Sequence, residues 1–296
     1  MSETLPLQIT GGRVPTFTTT VYEPRDDALV GRMDRLAVEE PLEIRLQVRD
    51  APASTISITM RTPGHDFELV AGFLLTEGIV SSLEDIRKIA YCVDADLDEE
   101  QRYNVVTAEL HHEPGRASIE RLVMTSSACG VCGTASIESV RLAGHPPYGD
   151  GPYLDISVLR RFPELLNAGQ RAFASTGGLH GVALISTDGE VLALREDVGR
   201  HNAVDKVLGW ALLGKRMPLS STCLFVSGRI SFEIVQKAVR AGIPIIAAVS
   251  AATSLAAKLA QDRNLTLVGF LRGDRCTVYS GRERLLAAPA EHVASP

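Results

Sequence analysis

The chain has 296 residues, of which 45% are hydrophobic and 22% are charged, and its formal net charge is −6. This composition excludes a disordered chain and allows one large domain or two ordinary ones. The net negative charge argues against broad binding of nucleic acid. No basic start followed by an apolar run is visible, and no apolar stretch is long enough to span a bilayer, so neither a secretory signal nor a membrane partner is expected.

The first part of the chain is predicted to hold a tail and a small domain. Residues 1–20 mix Gly, Pro and Thr without periodicity and are expected to form a flexible tail. Residues 42–48 and 56–60 alternate as strands do, and residues 66–75 have helical spacing with Asp66 as the expected N-cap. With short strands near residues 89–93, 103–110 and 119–124, the span 21–125 is predicted to be an antiparallel α+β domain.

Residues 126–152 are predicted to be a loop and linker that carries the Cys-x-x-Cys pair Cys129 and Cys132 among glycines. Such a pair can hold a metal, cycle through a disulfide, or carry sulfur as a persulfide. A closed zinc site would need two more closely spaced ligands, and a zinc deaminase would need His-x-Glu and Pro-Cys-x-x-Cys. Neither pattern is present, so no structural metal is expected. A dithiol oxidoreductase remains an alternative function for this pair, although the βαβ context of a thioredoxin is missing.

A thiolate that accepts sulfur and passes it on fits this loop best. A helical stretch is predicted over residues 135–142, and the positive end of its dipole would lower the pKa of a nearby thiol. The other three cysteines, Cys92, Cys223 and Cys276, lie in apolar, strand-like segments. They are expected to be buried reduced thiols, which favours a cytoplasmic protein over a disulfide framework.

Residues 153–290 are predicted to form a second domain. Asp188-Gly189 is a hairpin signal, and the apolar runs 224–226 and 243–249 indicate strands covered on both faces. Helical segments follow at 203–213, 232–241 and 254–261, and a last strand pair, 265–271 and 276–279, turns at Gly273-Asp274. The fold class is therefore α/β, with an α+β N-terminal module and a three-layer α/β/α domain that contains a mixed sheet.

Three predicted strand-to-helix junctions, 195–202, 227–233 and 250–254, are rich in Gly, Ser, Thr and Arg. Open α/β sheets bind ligands at the carboxyl ends of their strands, where helix starts attract anions. With Arg272 and Arg275, these junctions favour a site for a large polyanionic ligand over simple helix caps. His180 and His201 lie in glycine-lined settings and could be general bases, phosphate contacts, metal ligands or purely structural residues.

Taken in order, six segments of the chain resemble the formate dehydrogenase accessory sulfurtransferase family. They are GFLLTEGIV (72–80), SSACGVCG (126–133), TGGLHGVAL (176–184), EDVGRHNAVDKVLG (196–209), SGRISFEIVQKAVRAGIP (227–244) and TLVGFLRGDRCTVY (266–279). The resemblance implies a cytosolic protein that accepts sulfur from a cysteine desulfurase as a persulfide on Cys129, with Cys132 as the assisting thiol. The sulfur then passes to the molybdenum bis(molybdopterin guanine dinucleotide) cofactor, the substrate, before the cofactor enters the formate dehydrogenase catalytic subunit.

The resemblance also implies a C-terminal domain like the cytidine deaminase fold, and a site. The segment that contacts the cofactor in the family corresponds to Phe270, Leu271, Arg272, Gly273, Asp274 and Arg275. The strand-to-helix junctions add Arg200, His201, Ser227 and Arg229 as further candidates for cofactor binding, and His180, after Thr176-Gly-Gly, is another.

A competing hypothesis is a binding protein that chaperones the guanine dinucleotide cofactor, with the cysteines only gripping it. In either case a homodimer is expected. The helices near 204–213 and 234–239 offer more apolar surface than one sheet face requires, and a two-fold partner commonly covers such surface. The family is also described as dimeric.

Overall fold

The computed structural model describes residues 15–49, 51–92, 103–115 and 146–287. Its strands are β1 (Thr16–Arg25), β2 (Ala28–Ala37), β3 (Glu40–Val48), β4 (Ser54–Arg61), β5 (Ile86–Tyr91), β6 (Val105–Leu110), β7 (Leu154–Asp155), β8 (His180–Ser186), β9 (Val191–Asp197), β10 (Thr222–Val226), β11 (Ile245–Ala248), β12 (Thr266–Arg272), β13 (Arg275–Ser280) and β14 (Leu285–Leu286). Its helices are α1 (Asp66–Thr76), α2 (Ile156–Arg160), α3 (Phe162–Gly169), α4 (Arg171–Thr176), α5 (Arg200–Leu213), α6 (Phe232–Arg240) and α7 (Ser254–Asp262). None of the helices in these ranges is both long and apolar enough to cross a membrane.

A six-stranded mixed sheet in the order β13-β12-β11-β10-β8-β9 forms the centre of the C-terminal part. Strands β10, β11 and β12 are parallel, β8 and β13 run against their neighbours, and β9 again runs in the direction of β10. Helices α5, α6 and α7 cover one face, and α2 and α3 cover the other. The predicted mixed sheet between two helical layers is therefore confirmed, whereas the likeness to cytidine deaminases stays a prediction.

The N-terminal sheet has the order β4-β3-β6-β5, with α1 packed on one face. The prediction of an antiparallel sheet was wrong, because β3 and β6 pair in parallel from Glu43 opposite Val105 to Val48 opposite Leu110. The connection between these two strands contains α1, and a helical crossover returns the chain in the same direction.

The hairpin of β1 and β2 corrects the predicted tail, since residues 16–20 are paired with residues 33–37. Periodicity failed to reveal this hairpin because apolar side chains lie on both of its faces. Phe17, Tyr22, Leu29 and Met33 are all more than half exposed. A two-stranded sheet with such a surface has no apolar side that a sequence pattern could report.

Helix α1 begins differently from the prediction. The residue before it is His65, in a left-handed conformation with φ of 59°, and Asp66 is buried inside the first turn. The Asp66 carboxylate accepts hydrogen bonds from Arg61 at 3.0 and 2.9 Å and from the Tyr91 hydroxyl at 3.0 Å. Because these contacts occupy the carboxylate, Asp66 closes a buried ion pair and does not cap the helix.

Helix α5 is buried on two sides, and Ile234, Val235 and Val239 of α6 also lie in the core of the large sheet, which removes the reason given above for a homodimer. Val204, Val207 and Leu208 pack on the large sheet, and α1 of the N-terminal module lies across the opposite side of the helix. The apolar surface of α5 is therefore covered within the chain.

The cysteines divide into three environments. Cys223 is buried as predicted and Cys92 is half-buried, but Cys276 is exposed, because β13 is the edge strand of the large sheet. Burial raises the pKa of the Cys223 thiol to about 12, so this thiol is inert at neutral pH. Cys129, Cys132, the strand predicted near 119–124 and the helix predicted over 135–142 lie outside the described residues.

Candidate functional site

The candidate cofactor-binding residues gather at one edge of the large sheet. Strands β9, β10, β11 and β12 end at this edge, and the antiparallel strands β8 and β13 begin there. His180 starts β8, Ser227 follows β10, and Arg275 starts β13. The convergence predicted from the junction composition therefore exists, and the direction of the strands is its cause.

His180 and Arg200 lie together beside Gly228. A Cβ atom at Gly228 would lie 3.4 Å from His180 Nδ1 and 3.5 Å from Arg200 Cδ, which places both side chains in van der Waals range of the same point. The Nε atom of Arg200 is buried and has no hydrogen-bond partner among the described residues. A buried guanidinium N–H without a partner is costly, which makes this position receptive to an anion.

The two histidines of the site are neutral at physiological pH. Burial, together with the nearby charges of Arg200 and Lys237, lowers the pKa of His201 to about 4. Burial and the charge of Arg200 also lower the pKa of His180. The fixed positive charge at this part of the edge therefore comes from Arg200, while the imidazoles can donate or accept one hydrogen bond each.

Asp197, at the end of β9, holds the start of α5 in place. Its carboxylate accepts hydrogen bonds from the backbone N–H of Gly199 at 2.8 Å and of Thr62 at 3.2 Å. It also accepts from Asn202 Nδ2 at 3.2 Å and forms an ion pair with buried Lys206 at 2.7 Å. The first turn of α5, which carries Arg200 and His201, is thereby fastened to the N-terminal module.

A cleft of about 450 Å³ opens beside His180 and Ser227. Its lining mixes four apolar and four polar side chains with two glycines: Leu166, Asn167, Gln170, Phe173, Gly177, Gly178, Leu179, His180, Ser227 and Val249. Ser227 is held against β8 in the wall of the cleft, because its hydroxyl accepts a hydrogen bond from Gly181 N at 3.0 Å and its own N–H donates to Gly181 O. Mixed linings of this size are typical of sites for small organic ligands.

The turn between β12 and β13 forms the far side of the site. Phe270 has φ of 53° and an exposed ring, and its N–H donates to Ser250 O at 3.0 Å. Arg272 is exposed and donates through Nε to Val249 O at 3.3 Å, which brings it to the wall of the cleft. Gly273 adopts the left-handed conformation that the tight turn requires, with φ of 54°.

The remaining candidates stand apart from the cleft. Leu271 is fully buried in the core between the sheet and α3, so its side chain cannot reach a ligand at this edge. Asp274 is exposed and lies 3.6 Å from Arg160. Arg229 is exposed beyond the end of β10, where it can reach only a ligand that extends out of the cleft.

Sequence reasoning missed several residues of the cleft and its support. Gln170 and Phe173 belong to no motif, and nothing in the local pattern could have revealed them. Asp205 and Lys206 carried a signal, since adjacent charges in a helix that is otherwise apolar indicate buried ion pairs. Within the described part of the chain no group of three or more His, Cys, Asp or Glu side chains is placed to hold a metal ion.

Comparison with known proteins places the chain in a family. A family model described as the FdhD/NarQ family matches residues 37–286. A sulfur carrier protein FdhD from Streptomyces coelicolor is 49% identical over 280 residues, which cover 93% of this chain and 96% of that protein. A protein of the same name from Sulfurisphaera tokodaii is 40% identical over 266 residues, covering 90% of this chain and 97% of that protein.

A solved structure agrees with these matches. The crystal structure of a candidate formate dehydrogenase accessory protein from Desulfotalea psychrophila has a TM-score of 0.70 and 26% identity to this chain. The similarity covers 92% of this chain and 100% of that one. The family model, the relatives and the fold all agree, and the chain belongs to the FdhD/NarQ family.

Proposed function

We propose that this protein is a sulfur carrier that acts as an accessory protein of formate dehydrogenase. The observation that carries the proposal is identity near one half, over almost the whole chain, to proteins named as sulfur carriers. The name of the similar structure from Desulfotalea psychrophila supports formate dehydrogenase as the client. Cys129 and Cys132 supply the thiols that such a carrier needs.

The finer mechanism is a relay of sulfane sulfur by these two thiols. The Cys129 thiolate attacks the terminal sulfur of a desulfurase persulfide, which forms Cys129–S–SH and releases the desulfurase thiolate. Only when the cofactor is bound does the Cys132 thiolate attack Cys129 Sγ and form a disulfide, so that the terminal sulfur leaves as hydrosulfide with the two electrons of the broken bond. A thiol reductant then restores both thiols for the next cycle. The molybdenum bis(molybdopterin guanine dinucleotide) cofactor is the substrate that receives this sulfur.

The edge of the large sheet is where the nucleotide part of that substrate would bind. Arg200, with its unpaired Nε, and Arg272, beside the cleft, can neutralise a diphosphate. His180 and His201 are neutral, so they can donate hydrogen bonds to the same ligand without adding charge. A cleft with both apolar and polar walls next to cationic groups suits a nucleotide better than an inorganic anion.

Intact mass spectrometry after incubation with a cysteine desulfurase and cysteine tests the carrier function. We expect an adduct of about 32 Da that maps to Cys129, since a persulfide adds one sulfur. The matched control is Cys276→Ser, which removes the exposed thiol and should leave the adduct unchanged. An adduct on Cys276 or Cys223 would overturn the proposal, and one on Cys132 would exchange the roles of the two loop thiols.

The same experiment separates the alternative functions. A dithiol oxidoreductase would lose about 2 Da reversibly as a disulfide forms and would keep no added sulfur. A cofactor chaperone would take up no sulfur and still bind a guanine nucleotide.

The homodimer is part of the proposal and is supported by the exposed apolar side chains of the β1–β2 hairpin. Sedimentation at micromolar concentration should then report about twice 31.8 kDa.

A further inference from the structure

A break between α3 and α4 leaves two backbone N–H groups without partners in a helix. Gln170 follows α3 with φ of −80° and ψ of 74°, which lies outside the helical region, and its side chain does not cap α4. In an unbroken helix the N–H groups of Ala172 and Phe173 would donate to carbonyl oxygens one turn earlier. Because the break removes those partners, the two groups need acceptors from another part of the chain.

Glu196 of β9 supplies both acceptors. One carboxylate oxygen accepts a hydrogen bond from Phe173 N at 2.7 Å, and the other accepts from Ala172 N at 3.0 Å. Hydrogen bonds to an ionised carboxylate are stronger than those between neutral groups. Since the two bonds go to adjacent residues, they fix the direction in which α4 leaves the break.

Glu196 and its neighbour Asp197 hold opposite sides of the site. Consecutive side chains of a strand point to opposite faces of the sheet. Glu196 reaches α4 on one face, whereas Asp197 reaches the start of α5 on the other. The task of Asp197 is therefore to hold the turn that carries Arg200, and the task of Glu196 is to hold the helix that carries Phe173.

Helix α4 forms a wall of the cleft. Phe173 lines the cleft together with Gly177 and Gly178, which follow the helix, and its ring keeps 39% of its surface exposed. His180 and Ser227 line the same cleft from the edge of the large sheet. The direction of α4 therefore sets the distance between the Phe173 ring and the sheet edge.

We propose that Glu196 is a positioning residue for ligand binding in this cleft. By accepting hydrogen bonds from Ala172 and Phe173, it holds the α4 wall at the spacing that a bound ligand requires. Without the carboxylate the two N–H groups would turn to water, and α4 would pivot about Gln170. The inference rests on the proposed function, because it names a residue that shapes the site proposed there for the nucleotide part of the substrate.

Calorimetric titration of the full chain with GDP tests this inference. Glu196→Ala should weaken GDP binding about fivefold, the factor that one well-placed aromatic contact is worth. The salt dependence of the remaining binding should stay that of the wild type, because Arg200 and Arg272 are unchanged. A general loss of structure would alter both quantities. The matched control Glu190→Ala removes an exposed glutamate between β8 and β9 and should leave GDP binding unchanged.

Hydrogen exchange and a conservative variant test the positioning itself. The amides of Ala172 and Phe173 should exchange faster in Glu196→Ala, because their acceptor is gone. Glu196→Gln keeps one acceptor oxygen, so its affinity for GDP should lie between those of the wild type and Glu196→Ala. If the alanine variant does not fold, Glu196→Gln should still bind GDP more weakly than the wild type.

The outcomes separate this inference from the proposed function. This inference alone is overturned if Glu196→Ala binds GDP as tightly as the wild type, or if the exchange of the two amides is unchanged. It is also overturned if Glu196→Gln binds GDP no better than Glu196→Ala, since the carboxylate would then act by its charge alone. A wild-type protein that binds no GDP would overturn the nucleotide site of the proposed function and this inference together.

Discussion

Gly72 and Gly209 lie against each other where α1 crosses α5, and a Cβ atom at Gly209 would be 2.8 Å from the backbone nitrogen of Gly72. The same atom would overlap the carbonyl oxygen of Glu68. The two helices therefore approach to backbone contact, which only glycine permits. This crossing joins the N-terminal module to the domain that carries the candidate site.

Replacing either glycine should weaken the contact between the N-terminal module and the C-terminal domain. Gly209→Ala adds helix propensity of about 1 kcal/mol, but the methyl group meets backbone atoms that cannot move aside. We expect a net loss of about 1–3 kcal/mol in the free energy of unfolding, measured in urea. Gly149→Ala is the control, since nothing lies within 4 Å of its added methyl group. Equal stability of the two variants would contradict the close crossing.

The buried ion pair of Lys237 and Asp205 should behave as a unit. Lys237 Nζ lies 2.8 Å from both carboxylate oxygens of Asp205 and donates to Thr76 at 2.8 Å. Lys237→Met leaves a buried carboxylate without its cation and should cost about 3–5 kcal/mol in urea unfolding. Adding Asp205→Leu should recover part of that loss, because the charge that needs a partner is gone. Additive losses would show that the two side chains do not interact.

His201 should make stability depend on pH in the acid range. Its pKa is about 4 in the folded protein, below its ordinary value of 6.5. Between these values the unfolded chain takes up a proton that the folded protein does not, so this histidine destabilises the fold as pH falls from about 6.5 to about 4. NMR titration should give a midpoint near 4 for the imidazole, and His201→Gln should flatten the profile in this window. The control is His112→Gln, at an exposed position, which should leave the stability profile in this window unchanged. A titration midpoint near 6.5 for His201 would refute the prediction.

Arg272 and Arg275 should contribute to nucleotide binding. Arg272→Ala or Arg275→Ala should each weaken GDP binding by about 1.5–3 kcal/mol, the range for hydrogen bonds to charged groups. Binding should also weaken as salt is raised, because both side chains are exposed. Arg282→Ala, an exposed arginine after β13, is the control for a general change of charge. If calorimetry gives the same affinity for GDP in both variants as in the wild type, the diphosphate binds elsewhere.

Much of the fold could be predicted from periodicity. The hairpin at Asp188-Gly189 and the strands β10 and β11 follow from local patterns, because alternation or continuous apolarity reports how many faces of a strand are covered. The edge that gathers His180, Ser227 and Arg272 also follows, since strand direction decides where junctions meet. The β1–β2 hairpin could not be predicted because apolar side chains lie on both of its faces, and the parallel pairing of β3 with β6 could not be predicted because these partners are distant in sequence.

The chain by itself determined the residue types that chemistry requires: the thiol pair, the arginines at the strand ends and the glycines around them. Tertiary structure alone decided which of these side chains share a space. It buries Leu271 and Asp205 in the interior, whereas Arg200 and His201 lie at the candidate site. It also brings Gln170, which belongs to no motif, to the cleft. The reason is that burial and hydrogen-bond partners are set by segments far apart along the chain, which no local pattern encodes.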